Sequence, residues 1–462
     1  MRQKSIAVLL ALALVLSLCA VTAFAGETAE DQQAAAGGSQ SEETAAESEE
    51  EAPEEEAPSL AGPDAEPETD PETGEAIESA LIEPDAVGTV SYANVERRMR
   101  ENNLNVLALQ ESIDFIDSID YDKMYEDLRK QLNQIAQGQW AMIEAGNLPA
   151  DNPYYAEFDS YAYAQTEQLY DALREQFDAI KDGEMQEDNA GAKRQLKNLQ
   201  DQIIMGGEMM YATIAGLETQ EAALQRQLAA LNRTVEELEL RYQMGQVSAL
   251  QLQQTKAGRT QLVSGLETLQ MNIRSLKYQF EMLLGAEQTG GITLGTVPEV
   301  TDRELEAMDL EKDLLAYKDR SYDLYAAAKT LEDEKENYND AGSKCGYDME
   351  KTEFARAKHN WQAAQYTYNN TVQSYELKFR TLYEQVRDYK QILDAAKVSL
   401  ECERASYQAS ELKYQQGSIS KNALLDAESS LKEAEEKVLS ASNDLFSSYN
   451  TYCWAVEHGV LN

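Results

Sequence analysis

The residue types that most often carry chemistry are few in this chain and poorly spaced for it. The histidines are His359 and His458, and the cysteines are Cys19, Cys345, Cys402 and Cys453. The spacing of Cys345, Cys402 and Cys453, which remain after the first segment, does not look like a metal site, which wants ligands a few residues apart. The stretch "DSIDYD" at 117–122 gathers three aspartates. It lacks the central glycine and the distal glutamate of a calcium loop, so it reads as one face of a helix. Neither a glycine-rich phosphate loop nor a nucleophile elbow is present. The sequence therefore offers no catalytic, cofactor-binding or metal-binding constellation, and it reads as a non-enzyme.

A short phrase that occurs twice stands out instead. "ELRYQMGQVSAL" (239–250) and "ELKYQQGSIS" (411–420) align without a gap, placing Tyr242 on Tyr414, Gly245 on Gly417, Val247 on Ile419 and Ser248 on Ser420. A glycine just past a helix end can take the left-handed conformation that terminates it. A serine three residues later can cap the next helix. Each copy therefore predicts a tight turn between two helices, with Val247 and Ile419 as exposed apolar residues beside the glycine.

The elements on either side must be long. After Ser91 proline occurs only at 149, 153 and 298, and Ala, Leu, Gln, Glu and Lys dominate. Met210, Ile214, Leu217, Glu221, Leu224, Leu228, Leu231, Val235, Leu238 and Tyr242 recur every three or four residues. So do Leu262, Leu266, Leu269, Ile273, Leu276, Phe280 and Leu283, and again Leu424, Ala427, Leu431, Ala434, Val438, Ala441 and Leu445. These are heptad seams between helices packed side by side. The predicted fold is all-α: long antiparallel helical hairpins of coiled-coil type, arising from an internal duplication, with repeat one at about 91–290 and repeat two at about 291–462. The helix before the second turn should start near 350 and run for about 95 Å.

Charge and composition bound the rest. A net charge of -43 argues against nucleic-acid binding. The first 25 residues have a basic start, an apolar run and Ala23-Phe24-Ala25 before Gly26, the pattern of a secretory signal peptide. A lipidated Cys19 is the rival, disfavoured by Leu18 where a small residue is expected. Residues 26–90 hold 21 acidic residues, no Lys or Arg, and six prolines. That composition predicts a disordered acidic linker, and the protein as a whole is expected to be exported to the cell envelope. The spacing of Cys402 and Cys453 about the second turn is out of register for a bridge, so no intrachain disulfide is expected.

With these residues in place, the pattern resembles the TolC-like outer-membrane efflux family. The likeness rests on "LRYQMGQVSALQLQQTKA" (240–257), on "LKYQQGSISKNALLDAES" (412–429) and on the opening segment "SYANVERRMRENNLNVLAL" (91–109). It implies a homotrimeric helical tunnel whose two hairpin turns per chain dock on a periplasmic-type adaptor, with a membrane pump beyond. It also implies that Tyr242, Gly245, Val247, Ser248, Tyr414, Gly417, Ile419 and Ser420 are the partner-binding tip residues. The family's barrel strands would fall near 147–188 and 338–349. The second window is only a turn, and in the first Leu169, Leu173, Phe177 and Ile180 are spaced for a helix. The sequence thus shows no clear β-barrel strands, although Tyr154, Tyr155, Phe158, Tyr161 and Tyr163 could touch a membrane interface. A non-channel structural spacer or scaffold of the envelope is the alternative reading.

Overall fold

The computed structural model describes residues 85–461. The expected signal peptide, and the acidic segment as far as residue 84, lie outside these residues. At the other end of that segment, Thr89–Val90 forms a short strand, β1, and Val90 is buried. The folded body therefore begins a few residues earlier than Ser91.

A single 3-10 turn, Tyr92–Asn94, leads into α1 (Val95–Asn102), α2 (Leu104–Asp117), α3 (Tyr121–Gly146) and α4 (Ser160–Lys181). Next come α5 (Glu184–Gln243) and α6 (Ala249–Leu283), and then the strand β2 (Thr293–Leu294), parallel to β1. The second half consists of α7 (Asp302–Glu306), α8 (Leu310–Arg320), α9 (Tyr322–Cys345), α10 (Thr352–Gln415) and α11 (Lys421–His458). Helix α5 has 60 residues and α10 has 64, about 90 and 95 Å at 1.5 Å per residue.

The heptad seams explain how the long helices pack. Helix α6 lies along α5, α5 along α11, and α11 along α10, while α6 and α10 share no packed seam. The four form an open row, not a closed bundle. One core cluster joins Val95, Met99, Ile204, Tyr211 and Phe280 to Trp454 of the second half. Another gathers Leu314, Phe379, Val386, Leu445 and Tyr452 around Tyr317, which stacks on Tyr375 and Phe379.

The duplication is visible in the joints as well as in the turns. Asn103, between α1 and α2, caps α2 by accepting from the Asn105 and Val106 amides, and its Nδ2 donates to the Leu283 carbonyl at 2.8 Å. In the second half Ser321 caps α9, and Arg320 donates to the Val456 carbonyl at 2.8 Å. Each return helix thus ends against the joint of its own lead-in pair. In the last turn of α6, buried Glu281 accepts from the Gly290, Gly291 and Ile292 amides and the Thr289 hydroxyl of the loop that follows. Burial works to raise its pKa, but these bonds hold it below the ordinary carboxylate value. They fold the loop back so that β2 meets β1.

The two windows where barrel strands were sought hold other structure. Residues 147–159 are a connector, and α4 returns antiparallel along α3, burying Leu128, Leu132, Phe177 and Ile180. The second window is the end of α9 and a turn with Gly346 and Tyr347 both at positive φ. Among the described residues the strands are only two residues long and pair with each other, and no helix is long and apolar enough to cross a membrane. The "DSIDYD" stretch is not a helix face. Asp117 ends α2 and pairs with Lys193 at 2.6 Å, while Asp120 caps α3 through the Lys123 amide. Its aspartates close a helix junction because they satisfy the free amides and a lysine there.

Candidate functional site: the two hairpin tips

Each repeated phrase closes a helix in the same way. In the first, Gly245 has φ +73°, its amide donates to the Tyr242 carbonyl at 2.9 Å, and the Gln246 amide donates to Arg241 at 2.8 Å. In the second, Gly417 has φ +72°, with matching bonds from Gly417 to Tyr414 and from Ser418 to Lys413, both 2.8 Å. This pair of bonds is the Schellman closure, which satisfies the last helix carbonyls and needs a residue tolerant of positive φ. Ser248 and Ser420 then start the return helices, accepting from the Gln251 and Ala423 amides at 3.2 Å in both cases.

The structure brings Tyr242, Gly245, Val247 and Ser248 together at one tip and Tyr414, Gly417, Ile419 and Ser420 at the other. Their exposures differ from expectation in one respect. Val247 and Ile419 are half-buried rather than exposed, tucked inward after the glycine. The apolar surface at the tips comes instead from Leu240 (61 % exposed), Tyr242 (46 %), Met244 (63 %) and Leu250 (66 %), and from Leu412 (58 %) and Tyr414 (40 %). Leu240 and Leu412 stand at equivalent places in the two phrases. The signal was available in part: Leu240 and Met244 fall outside the seam spacing and face solvent, whereas Tyr242 continues the seam and is exposed where it runs out at the turn.

Charge sets the tips apart from the rest of the molecule. Arg241, Lys413 and Lys421 are exposed there in a strongly acidic chain. Arg241 pairs with Glu237 and Lys256 with Glu239, so part of that charge is neutralised locally. Further up the hairpins, Arg226 of α5 pairs with Glu436 of α11 and reaches the Ser429 carbonyl at 3.4 Å. Asn422 and Glu237 approach at 3.5 Å across the same seam. The two hairpins are therefore fastened side by side and present their tips together.

A second convergence of polar groups is closed rather than open. Buried Glu208 on α5 accepts on one oxygen from the Tyr92 hydroxyl at 2.7 Å, Asn450 Nδ2 at 2.9 Å and Trp454 Nε1 at 2.7 Å. Burial, then the charge of Glu208, push the Tyr92 hydroxyl up, so it stays a donor. This carboxylate ties the start of the fold, α5 and α11 together. The sequence shows it only as a glutamate on an apolar face between Ile204 and Tyr211. Nearby, burial pushes the Cys453 thiol up to about 11, which keeps it from being a reactive thiolate. Cys345, Cys402 and Cys453 are all free thiols. Among the described residues, no group of three or more His, Cys, Asp or Glu side chains is placed to hold a metal ion.

No protein-family model matches the sequence, and no curated protein does. Solved structures with a similar arrangement include the outer-membrane channel OprN, at 14 % identity and TM-score 0.47, covering 79 % of this chain and 90 % of that one. A membrane protein from Pseudomonas aeruginosa aligns at 13 % identity and TM-score 0.46, with 79 % and 90 % covered. The outer membrane protein VceC from Vibrio cholerae aligns at 14 % identity and TM-score 0.43, with 79 % and 96 % covered. OprN and VceC are outer-membrane proteins, and the Pseudomonas aeruginosa structure is of a membrane protein.

Proposed function

We propose that the chain is a TolC-like helical conduit component of a cell-envelope efflux or export system. Three copies place their open helix rows edge to edge around a lumen, and the paired tips dock on an adaptor that links the conduit to a membrane pump. The observation that carries this reading is the pairing of two equivalent exposed tips with an open row. A self-contained bundle would bury all four long helices against one another, whereas in this row α6 packs mainly on α5, and α10, outside the stretches that α8 and α9 cover, packs mainly on α11. These two edge helices expose apolar residues: Met271, Tyr278 and Met282 at heptad-like spacing on α6, and Leu377, Ile392 and Val398 on α10. A stripe of that kind is what a neighbouring helix would cover.

The tips would act through surface, not chemistry. Tyr242, Met244, Leu412 and Tyr414 offer apolar contact, Arg241 and Lys413 offer charge, and the glycines keep both turns narrow. The test is a double substitution, Met244→Glu with Leu412→Glu, which leaves both glycines and the half-buried Val247 and Ile419 intact. Helical content should be unchanged, because exposed positions carry little packing. Capture of an adaptor encoded beside this gene, or export of its cargo, should fall by at least about tenfold, the effect of losing an apolar anchor at an interface. Full partner binding by the double variant would leave the tips as mere turns.

A structural spacer remains the second reading, favoured by the connector, the helix α4 and the turn that stand in the windows for barrel strands. It predicts no lumen and no dependence on tip residues.

A further inference from the structure

The end of the α3–α4 hairpin exposes an unusual set of side chains. Trp140 is 71 % exposed, Tyr154 80 %, Tyr161 73 %, Phe158 44 % and Tyr155 40 %. The hairpin is firmly built beneath them. Tyr125 stacks on Phe177 with centroids 4.5 Å apart, Gln139 bonds Thr166 at 3.3 Å, and Phe158 leans on Tyr163 at 5.5 Å. These rings are therefore displayed on a formed scaffold. Large exposed aromatics in one short region mark a contact surface.

Charge identifies the kind of partner. From residue 131 to residue 173 there is no Lys or Arg, while Glu144, Asp151, Glu157, Asp159, Glu167 and Asp171 are all exposed. Anionic lipid and other polyanions are repelled by such a surface. The same end of a second copy is excluded on like grounds, since carboxylates would face carboxylates. A cation suits both features at once: aromatic faces attract it and carboxylates pair with it. The fold uses this chemistry internally where it has an arginine to spare. Arg194 lies 4.4 Å over Tyr325 and Arg174 lies 5.4 Å over Phe177, at the base of this hairpin. No such cation lies on the segment that carries Trp140, Tyr154 and Tyr161.

We infer that the loop end of the α3–α4 hairpin is a docking surface for a basic, Lys- or Arg-bearing segment of another protein. The inference is independent of the conduit reading, because it concerns a different end of the hairpins and needs no lumen.

The experiment uses the full chain and a hexa-arginine peptide as probe. Trp140 is itself a reporter, isolated as the difference between wild type and Trp140→Phe. The peptide should change the Trp140 fluorescence saturably. In calorimetry, the triple variant Trp140→Ala, Tyr154→Ala, Tyr161→Ala should bind the peptide at least about tenfold more weakly, although every carboxylate is kept. Tyr154→Phe with Tyr161→Phe, which keeps the rings, should bind as wild type does. Circular dichroism confirms that the exposed substitutions leave the helices intact. Equal affinity for the triple variant would place the peptide on acidic residues elsewhere and overturn the inference. So would a Trp140 response to phosphatidylcholine vesicles with none to the peptide, which would make this surface a membrane contact instead.

Discussion

At the scale of single residues, His458 is where pH acts on the fold. It sits in the last turn of α11, with Nδ1 3.5 Å from an Asp201 oxygen and its ring 4.4 Å from that of Trp454. The hydrogen bond to Asp201 raises its pKa above 6.5, burial opposes this, and the charges of Asp201, Glu457 and Glu96 add to the rise. Arg100 shares the same carboxylate at 3.2 Å. Because the folded pKa is raised, the stabilisation is fully present below the unfolded value near 6.5 and is lost as pH rises through the folded value. Between about pH 6 and 8, wild type should therefore lose about 1–3 °C of melting temperature relative to His458→Gln. Parallel melting curves for the two proteins across that range would show that the Asp201 contact contributes nothing. The comparison with the variant matters, since a chain of this net charge also repels itself more strongly as pH rises.

At the scale of elements, the glycines divide by what surrounds them. Gly417 and Gly459 both end helices with positive φ, at +72° and +70°. A Cβ on Gly417 would meet open space, whereas one on Gly459 would fall 2.4 Å from the Arg320 carbonyl carbon and 2.5 Å from the Ser321 amide. Gly417→Ala should cost about 1–2 kcal/mol, the left-handed penalty alone. Gly459→Ala should cost more, since α11 must also back away from the α8–α9 joint. Denaturant midpoints of the two variants measure the difference, and equal losses would refute the close approach. Much of this level was legible in the sequence. The heptad seams and the duplicated phrase placed α5, α6, α10 and α11 and their turns, because periodicity and helix stops are local signals. The inward tuck of Val247 and Ile419 was not legible, since it depends on the path of the chain after the Schellman turn. Nor was the role of Glu208: its three donors come from residues 92, 450 and 454, far apart in sequence. The aspartates of "DSIDYD" misled for a related reason, as their spacing fits a helix face and a helix junction equally well.

At the scale of the whole molecule, the open row of four long helices is the feature that asks for an explanation. The described chain leaves apolar residues exposed on both edge helices and presents two like tips side by side. Assembly through the edges would cover Met271, Tyr278 and Met282 of one copy with the α10 edge of the next. The direct measurement is the mass of the purified full chain in solution by light scattering, together with class-averaged electron micrographs viewed along the helices. A conduit predicts a trimer with a central lumen, and dissociation or loss of the lumen in Met271→Glu with Met282→Glu. A monomer, or an assembly of any size with a filled centre, would contradict it.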